Sequence, residues 1–284
     1  MPNQNLKFAF LGTPIVASKT LSLLKDNGYV PQIIITSPDS PSGRGLEMKE
    51  TPVAIWAKEN NIHCLKPEKI KDDFIKEMAL LDLDLFIVVA YGKILPESFI
   101  KMPKLGTINI HYSLLPKYRG ASPLEATLLS GDTETGVSIQ QMEYKLDSGP
   151  ILAEEKINID INDTKDILRE RLINLGAKCL CDMLPKFCAK EIKSKLQDET
   201  KATFCKKIKK EDGEVDPNGN AKENWNKYRA FYGWPGVFFF TKKGGKIIRI
   251  KIKEAIYENN SFIIKRVVPE GRREMTYGEF NKWN

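Results

Sequence analysis

Two kinds of apolar pattern alternate along roughly the first 190 residues. Runs with little or no polar interruption, "LKFAFLG", "YVPQIIITS", "DLFIVVAYG" and "TINIH", are separated by segments whose apolar positions recur at helical spacing. Short continuous apolar runs predict strands buried on both faces, as in a parallel sheet with helices packed against it. "TPIVASKTLSLLKDNG" predicts the first helix, with proline near its start and Gly28 at its end. "TPVAIWAKENN" predicts another, with Thr51 as N-cap and Pro52 at the first helical position. A helix near 69–80 precedes "DLFIVVAYG", and "SPLEATLLSG" predicts a helix capped by Ser122. "TGVSIQQM" and "PILAEEKINI" predict two further strands joined by "EYKLDSG". "DTKDILRERLINLGAKCLCDMLPKFCA" predicts one long helix capped by Asp163, with Gly176 as a point where it could break.

Beyond residue 190 the texture changes. A polar, lysine-rich stretch without periodic apolar positions predicts a linker over 191–205. "KIIRIKIKEAIY" and "SFIIKRVVPEG" then alternate as strands do. The expected organisation is an α/β domain with a parallel sheet over 1–190 and a small β-barrel-like domain over 206–284. The aromatic set Trp225, Tyr228, Phe231, Tyr232, Trp234, Phe238, Phe239 and Phe240 is expected to form the core of that small domain. Stacking on nucleobases is the alternative use of the same side chains.

Charge sharpens this division. Residues 201–284 carry 19 Lys and Arg against 10 Asp and Glu, a balance of +9, whereas the first 200 carry 25 against 27. A near-neutral body followed by a basic domain points to a polyanionic partner, with simple solubility as the plainer explanation. At 42% hydrophobic and 29% charged residues the chain reads as globular. No apolar stretch approaches the ~20 residues needed to span a bilayer, and the N-terminus shows no secretory pattern. A cytoplasmic protein without a membrane partner is expected. Five cysteines without a CxxC pair, and only two histidines, predict reduced thiols and no metal site.

Several chemistries are excluded by what is missing. The first strand–turn–helix reads Gly12-Thr13-Pro14, so proline stands where a dinucleotide's pyrophosphate needs glycine. There is no GxSxG elbow and no GxxxxGK[ST] loop. What remains is "NIHYSLLPKYRGASP". In "TINIH", Asn109 and His111 are two residues apart and share one face. They stand at the strand's carboxyl end, where parallel sheets place ligands. An amide beside an imidazole can bind a developing oxyanion, and the imidazole can move a proton. Asp147, in "LDSG", could reach the same place and would orient His111 and favour its protonated form. Such equipment suits acyl or formyl transfer to an amine. By spacing alone, a hydrogen-bonded structural histidine and an ordinary turn aspartate are the commoner explanation of these residues.

"NIHYSLLPKYRGASP", with "AYGKILP" before it and "ETGVSIQQMEYKLDSGPIL" after it, resembles the formyltransferase superfamily that uses 10-formyltetrahydrofolate. "FLGTPIVA", "TSPDSPSGRG" and "FYGWPG" narrow the resemblance to members that formylate methionyl-tRNA, over nearly the whole chain. The resemblance implies a Rossmann-like catalytic domain followed by an OB-like domain that lies along the tRNA acceptor stem. It implies Asn109, His111 and Asp147 as catalytic residues. Ser113, Leu114, Leu115 and Pro116 fall in the folate-binding stretch, and Tyr91, Gly92 and Ile94 beside the pterin pocket. Arg44 falls in the loop that meets the tRNA, with Lys49 as the loop's other cation. Lys206, Lys207, Lys209, Lys210, Arg249, Lys251, Arg272 and Arg273 are the expected tRNA contacts of the second domain. Initiator Met-tRNA and the folate are the expected partners, no metal is implied, and the family is monomeric. Two departures stand out: "LEMKE" follows "GRG" where the family continues with lysines, and the second domain is 20 to 30 residues short, which leaves a complete five-stranded barrel in question. A formyltransferase acting on an amino-sugar nucleotide, or an inactive RNA-binding homologue, are the competing functions.

Overall fold

The structure, a computed structural model, describes residues 6–42 and 47–283. The chain opens with β1 (Phe8–Gly12), α1 (Ile15–Asp26) and β2 (Ile33–Ile35), then the short strands β3 (Ser40–Ser42) and β4 (Glu47–Lys49). Next come α2 (Pro52–Glu59), β5 (Cys64–Leu65), α3 (Asp72–Ala79), β6 (Leu85–Val89) and α4 (Glu97–Ile100). They are followed by β7 (Thr107–His111), β8 (Arg119–Gly120), α5 (Pro123–Ser130), β9 (Glu134–Gln141) and β10 (Ile151–Asn158). The long α6 (Lys165–Cys188) and β11 (Phe204–Cys205) precede α7 (Ala221–Ala230). The chain ends with β12 (Val237–Lys243), β13 (Lys246–Glu258), β14 (Ser261–Pro269), β15 (Met275–Thr276) and α8 (Tyr277–Lys282).

Two compact units result. One comprises Met1–Ala121, Gly136–Ile157 and Glu170–Phe204; the other Ser122–Thr135, Asn158–Arg169 and Cys205–Asn284. The first is built on a seven-stranded sheet in the order β10-β9-β7-β6-β1-β2-β5. The five strands β7, β6, β1, β2 and β5 run parallel, and β9 is antiparallel to β7. Every residue of β1, β2 and β6 is buried, as their unbroken apolar runs require. From β1 the chain goes to β2 on one side and later returns to β6 on the other. Connections therefore diverge between β1 and β6, and open α/β sheets bind ligands outside the carboxyl ends of strands at such a point. Gly12 closes β1 because a Cβ there would lie 2.6 Å from the Ala17 Cβ and 2.9 Å from the Val89 carbonyl oxygen.

Residues 191–204 of the segment 191–205, expected as a linker, are bound into this unit. Lys195 pairs with Ile151, and Thr203 O accepts from Arg119 N–H at 2.8 Å. The long helix runs unbroken through Gly176, whose Cβ position is 3.1 Å from Ile110 and 3.5 Å from Val137. Glycine there permits close approach of helix to sheet and does not break the helix. Asp163 lies two residues before that helix begins, and its carboxylate accepts from the Asp160 N–H at 2.9 Å. Ser122 occupies the cap position of α5 without a side-chain bond. Its ψ of 54° departs from the extended backbone of an N-cap.

In the second unit β12, β13, β14 and β15 form an antiparallel sheet in that order, against which α7 packs. Four strands, the last of two residues, make a sheet one strand short of an OB-like barrel. Of the aromatics expected to form its core, Trp225, Tyr228, Phe231, Phe238 and Phe239 are buried, whereas Tyr232, Trp234 and Phe240 are exposed and lie outside it. Among the described residues no helix is long and apolar enough to cross a membrane.

Thr51 caps α2 as its sequence predicts: Oγ1 accepts from the Ala54 N–H at 3.0 Å and shares a 2.8 Å hydrogen bond with the buried Thr36 hydroxyl. Thr51→Ala removes the cap and strands the Thr36 hydroxyl. A loss of about 1–2 kcal/mol in urea-unfolding free energy is expected, and an unchanged midpoint would show that the cap is not what holds α2.

Candidate active site

The site grows out of the register between β7 and β9. Asn109 stands opposite Gln140, and His111 opposite Ser138. Directly paired residues of antiparallel strands project to the same side, so two polar pairs share one face while Ile108 and Ile110 fill the other. His111, Ser138 and Gln140 are buried and Asn109 is half-buried. Among the described residues none hydrogen-bonds the Asn109 carboxamide, so its N–H groups remain for a ligand.

His111 is fixed from both sides. Nε2 lies 2.9 Å from the Tyr118 carbonyl oxygen, which can only accept, so Nε2 carries hydrogen. Nδ1 faces Asp147, 3.7 Å from Oδ2, within ion-pair range but beyond a hydrogen bond. Asp147 is held more tightly than His111. Its Oδ1 accepts from Gln140 Nε2 at 2.9 Å and its Oδ2 from the Gly120 N–H at 2.8 Å. Gln197 Nε2 donates to the Asp147 carbonyl at 2.9 Å and to the Gly149 carbonyl at 2.7 Å. A Cβ on Gly149 would lie 1.7 Å from the Gln141 carbonyl oxygen, so only glycine lets this loop close on β9.

Behind Gln197 stands Arg119, wholly buried, with Nη2 2.8 Å from Gln197 Oε1 and 2.6 Å from Glu199 Oε1. The Lys145 ammonium also donates to Glu199, at 2.7 Å. These hydrogen bonds from Arg119, then Lys145, pull the Glu199 carboxyl from its ordinary 4.5 down to about 2. Backbone strain collects around the same place. Ala90 (φ 48°), Tyr118 (φ 59°) and Asp147 (φ 46°) adopt the left-handed region, where L-residues pay roughly 1–2 kcal/mol each. Tyr118 thereby turns its carbonyl onto His111.

Of the predicted site residues, Asn109, His111 and Asp147 are brought together. The seven folate candidates divide. Ser113 is buried with its hydroxyl donating to the Lys117 carbonyl at 2.7 Å, and Leu115 is buried. Tyr91 packs among Leu95, Phe99 and Ile100; its hydroxyl has no hydrogen-bond partner among the described residues, and burial pushes it up to about 12. Gly92, Ile94, Leu114 and Pro116 keep accessible surface, Ile94 at 87%. Arg44 lies outside the described residues, and Lys49 is exposed on β4. Lys210, Arg249, Lys251 and Arg272 line one cleft of the second unit; Lys206, Lys207, Lys209 and Arg273 are exposed elsewhere on it.

Sequence reasoning missed Gln140, Gln197 and Arg119. A signal for Gln140 was present: in "TGVSIQQM", Ser138 and Gln140 alternate with Val137 and Ile139, an unusual polar stripe on a buried strand. Nothing local marks Gln197, which acts across 50 residues of sequence.

Comparison with known proteins bears directly on this geometry. A family model described as formyl transferase matches residues 6–184, and one described as formyl transferase, C-terminal domain, matches 207–273. A methionyl-tRNA formyltransferase of Sulfurihydrogenibium sp. is 40% identical over 252 residues, 88% of this chain and 81% of the relative. Among solved structures, the methionyl-tRNA formyltransferase of Clostridium thermocellum aligns with TM-score 0.61 at 18% identity, over 93% of this chain and 98% of its own. WlaRD, a sugar 3N-formyl transferase solved in the presence of dTDP and 5-N-formyl-THF, aligns with TM-score 0.64 at 20% identity, over 89% and 87%. At those identities the two structures share the fold alone.

The Glu199 carboxyl is held below its ordinary range in the folded state, so it adds stability above about pH 4.5 that disappears as pH falls toward 2. Glu199→Ala should have a lower urea midpoint than the parent protein at pH 7, and the gap should close between about pH 4.5 and 2. A gap of constant size would disprove the linkage.

Proposed function

The chain belongs to the formyl transferase family, and we propose that it moves the formyl group of 10-formyltetrahydrofolate onto the α-amine of methionine esterified to initiator tRNA, supporting translation initiation. The observation that carries the acceptor is the relative of 40% identity, a methionyl-tRNA formyltransferase, whose match covers 88% of this chain. The site supplies the chemistry such a transfer needs.

The amine attacks the formyl carbon, a C–N bond forms, and negative charge collects on the formyl oxygen. Asn109, whose carboxamide has no partner among the described residues, donates to that oxygen. Asp147 takes the proton the amine sheds; its seat between Gly120 N–H and Gln140 holds the carboxylate beside Nδ1 of His111. His111 keeps its ring nitrogens on the Tyr118 carbonyl and toward Asp147, so it stabilises the oxyanion through the positive charge of its protonated form while Asn109 supplies the hydrogen bond. The tetrahedral species collapses with cleavage of the bond to N10, which takes up a proton, so that tetrahydrofolate and formylated Met-tRNA leave. No covalent enzyme intermediate and no metal enters these steps. The folate is a substrate, for which Gly92, Ile94, Leu114 and Pro116 offer accessible surface, while Tyr91, Ser113 and Leu115 hold the loops beneath. The exposed cations of the second unit meet the tRNA backbone, with Lys49 and Arg44 contributing from the loop that includes β3 and β4.

In a formylation assay with Met-tRNA, Asn109→Ala and His111→Ala should each lower kcat about 10²–10³-fold. Gln140→Leu, which frees the Asp147 carboxylate, should lower kcat about 10- to 100-fold with little change in KM for the tRNA. Near-parental rates for Asn109→Ala and His111→Ala would remove the catalytic assignment, and formylation of amino-sugar nucleotides alone would reverse the acceptor.

A further inference from the structure

β13 sorts its side chains by alternation. Ile250 and Ile252 are buried, whereas Arg249, Lys251 and Lys253 project to the opposite face. Across the ladder Arg249 pairs with Phe240 and Lys251 with Phe238, so cations and aromatics share that face. The Arg249 guanidinium lies over the Phe238 ring, 3.8 Å from its centroid, and Nε is buried without a hydrogen-bond partner. Together with Lys210, Lys251, Arg272 and Trp234, Arg249 lines a cleft of about 440 Å³ that contains one carboxylate, Glu270. Glu270 accepts from the Arg249 backbone N–H at 3.3 Å. Among the described residues none of the four cations has an ion-pair partner. Burial pushes the Lys251 ammonium down, and so do the neighbouring charges of Lys253 and Arg249, the mark of a site short of negative charge.

Trp234 is 52% exposed, yet its backbone is fixed: the carbonyl accepts from Lys165 Nζ at 2.6 Å and the N–H donates to the Tyr232 carbonyl at 3.0 Å. A rigid loop thus presents a large aromatic face that buries little of itself. Unpaired cations and an open indole in one cleft match a ligand carrying both phosphate and a π face. An acidic peptide would satisfy the cations and leave the indole without a role.

We infer that this cleft seats one nucleotide of the tRNA, its phosphate against Arg249, Lys251 and Arg272 and its base stacked on the Trp234 indole. The inference rests on tRNA being the acceptor and adds a base-stacking residue in a domain whose basic charge by itself implies only backbone contacts.

The test measures binding of initiator tRNA to the full-length protein across a series of KCl concentrations, for the parent and four variants. Trp234→Leu should weaken binding about 5- to 100-fold at every salt concentration, with the salt slope unchanged. Trp234→Phe, which keeps a stacking face in a similar volume, should stay within about threefold of the parent. Arg249→Gln and Lys251→Gln should each reduce the slope of log K against log [salt] by about 1. Equal affinities for the Leu and Phe variants, in a parent that formylates Met-tRNA, overturn the stacking site and leave the acceptor standing. A parent that neither binds nor formylates Met-tRNA overturns both.

Discussion

A carboxylate placed almost out of water must find hydrogen-bond donors within the protein, and Asp147 finds them in an amide side chain and a backbone N–H. A third donor, Gln197, secures its carbonyl. That seat fixes where a negative charge stands relative to His111, and the surrounding architecture serves it. β9 delivers Gln140, the loop after β7 delivers Gly120, and the segment after α6 delivers Gln197, itself braced by Arg119 and Glu199. Three separate stretches of chain converge on one residue, so displacement of any of them is felt at the imidazole.

The same economy explains why strain is tolerated here. Ala90 and Tyr118 are poor residues for a left-handed backbone, unlike the asparagines that turn at 61, 259 and 260. The Tyr118 conformation brings a carbonyl onto Nε2 and fixes the ring, leaving the opposite nitrogen toward Asp147. Asn109 is the exception in this network: a polar side chain of β7 with no hydrogen-bond partner among the described residues. It thus keeps its donor beside an imidazole and a carboxylate that are each held by other groups.

The second unit solves a different problem with the same period of two. Alternation on β13 sends isoleucines into a small core and cations outward, and the outward set meets aromatics of β12. Over 201–284 its cations outnumber its carboxylates 19 to 10, an excess that costs self-repulsion in the free protein and favours a polyanion.

The parallel strands β1, β2, β6 and β7 were legible because continuous apolar runs have few other uses, and the Thr51 cap because its chemistry is local. Asn109 and His111 were placed on one face by strand alternation alone; Asp147 was a candidate from its loop position, and the resemblance to a known motif joined it to them. Tertiary structure alone decided the partners of Asp147. Hydrogen bonds spanning 7, 27 and 50 residues depend on which strands pair and in what register, which no local pattern encodes. It also decided that Tyr91 and Ser113 serve the interior and that Trp234 does not, because burial is a property of what packs over a residue. Sequence set the chemistry each position could offer; packing chose which of those groups met one another and which were left for a ligand.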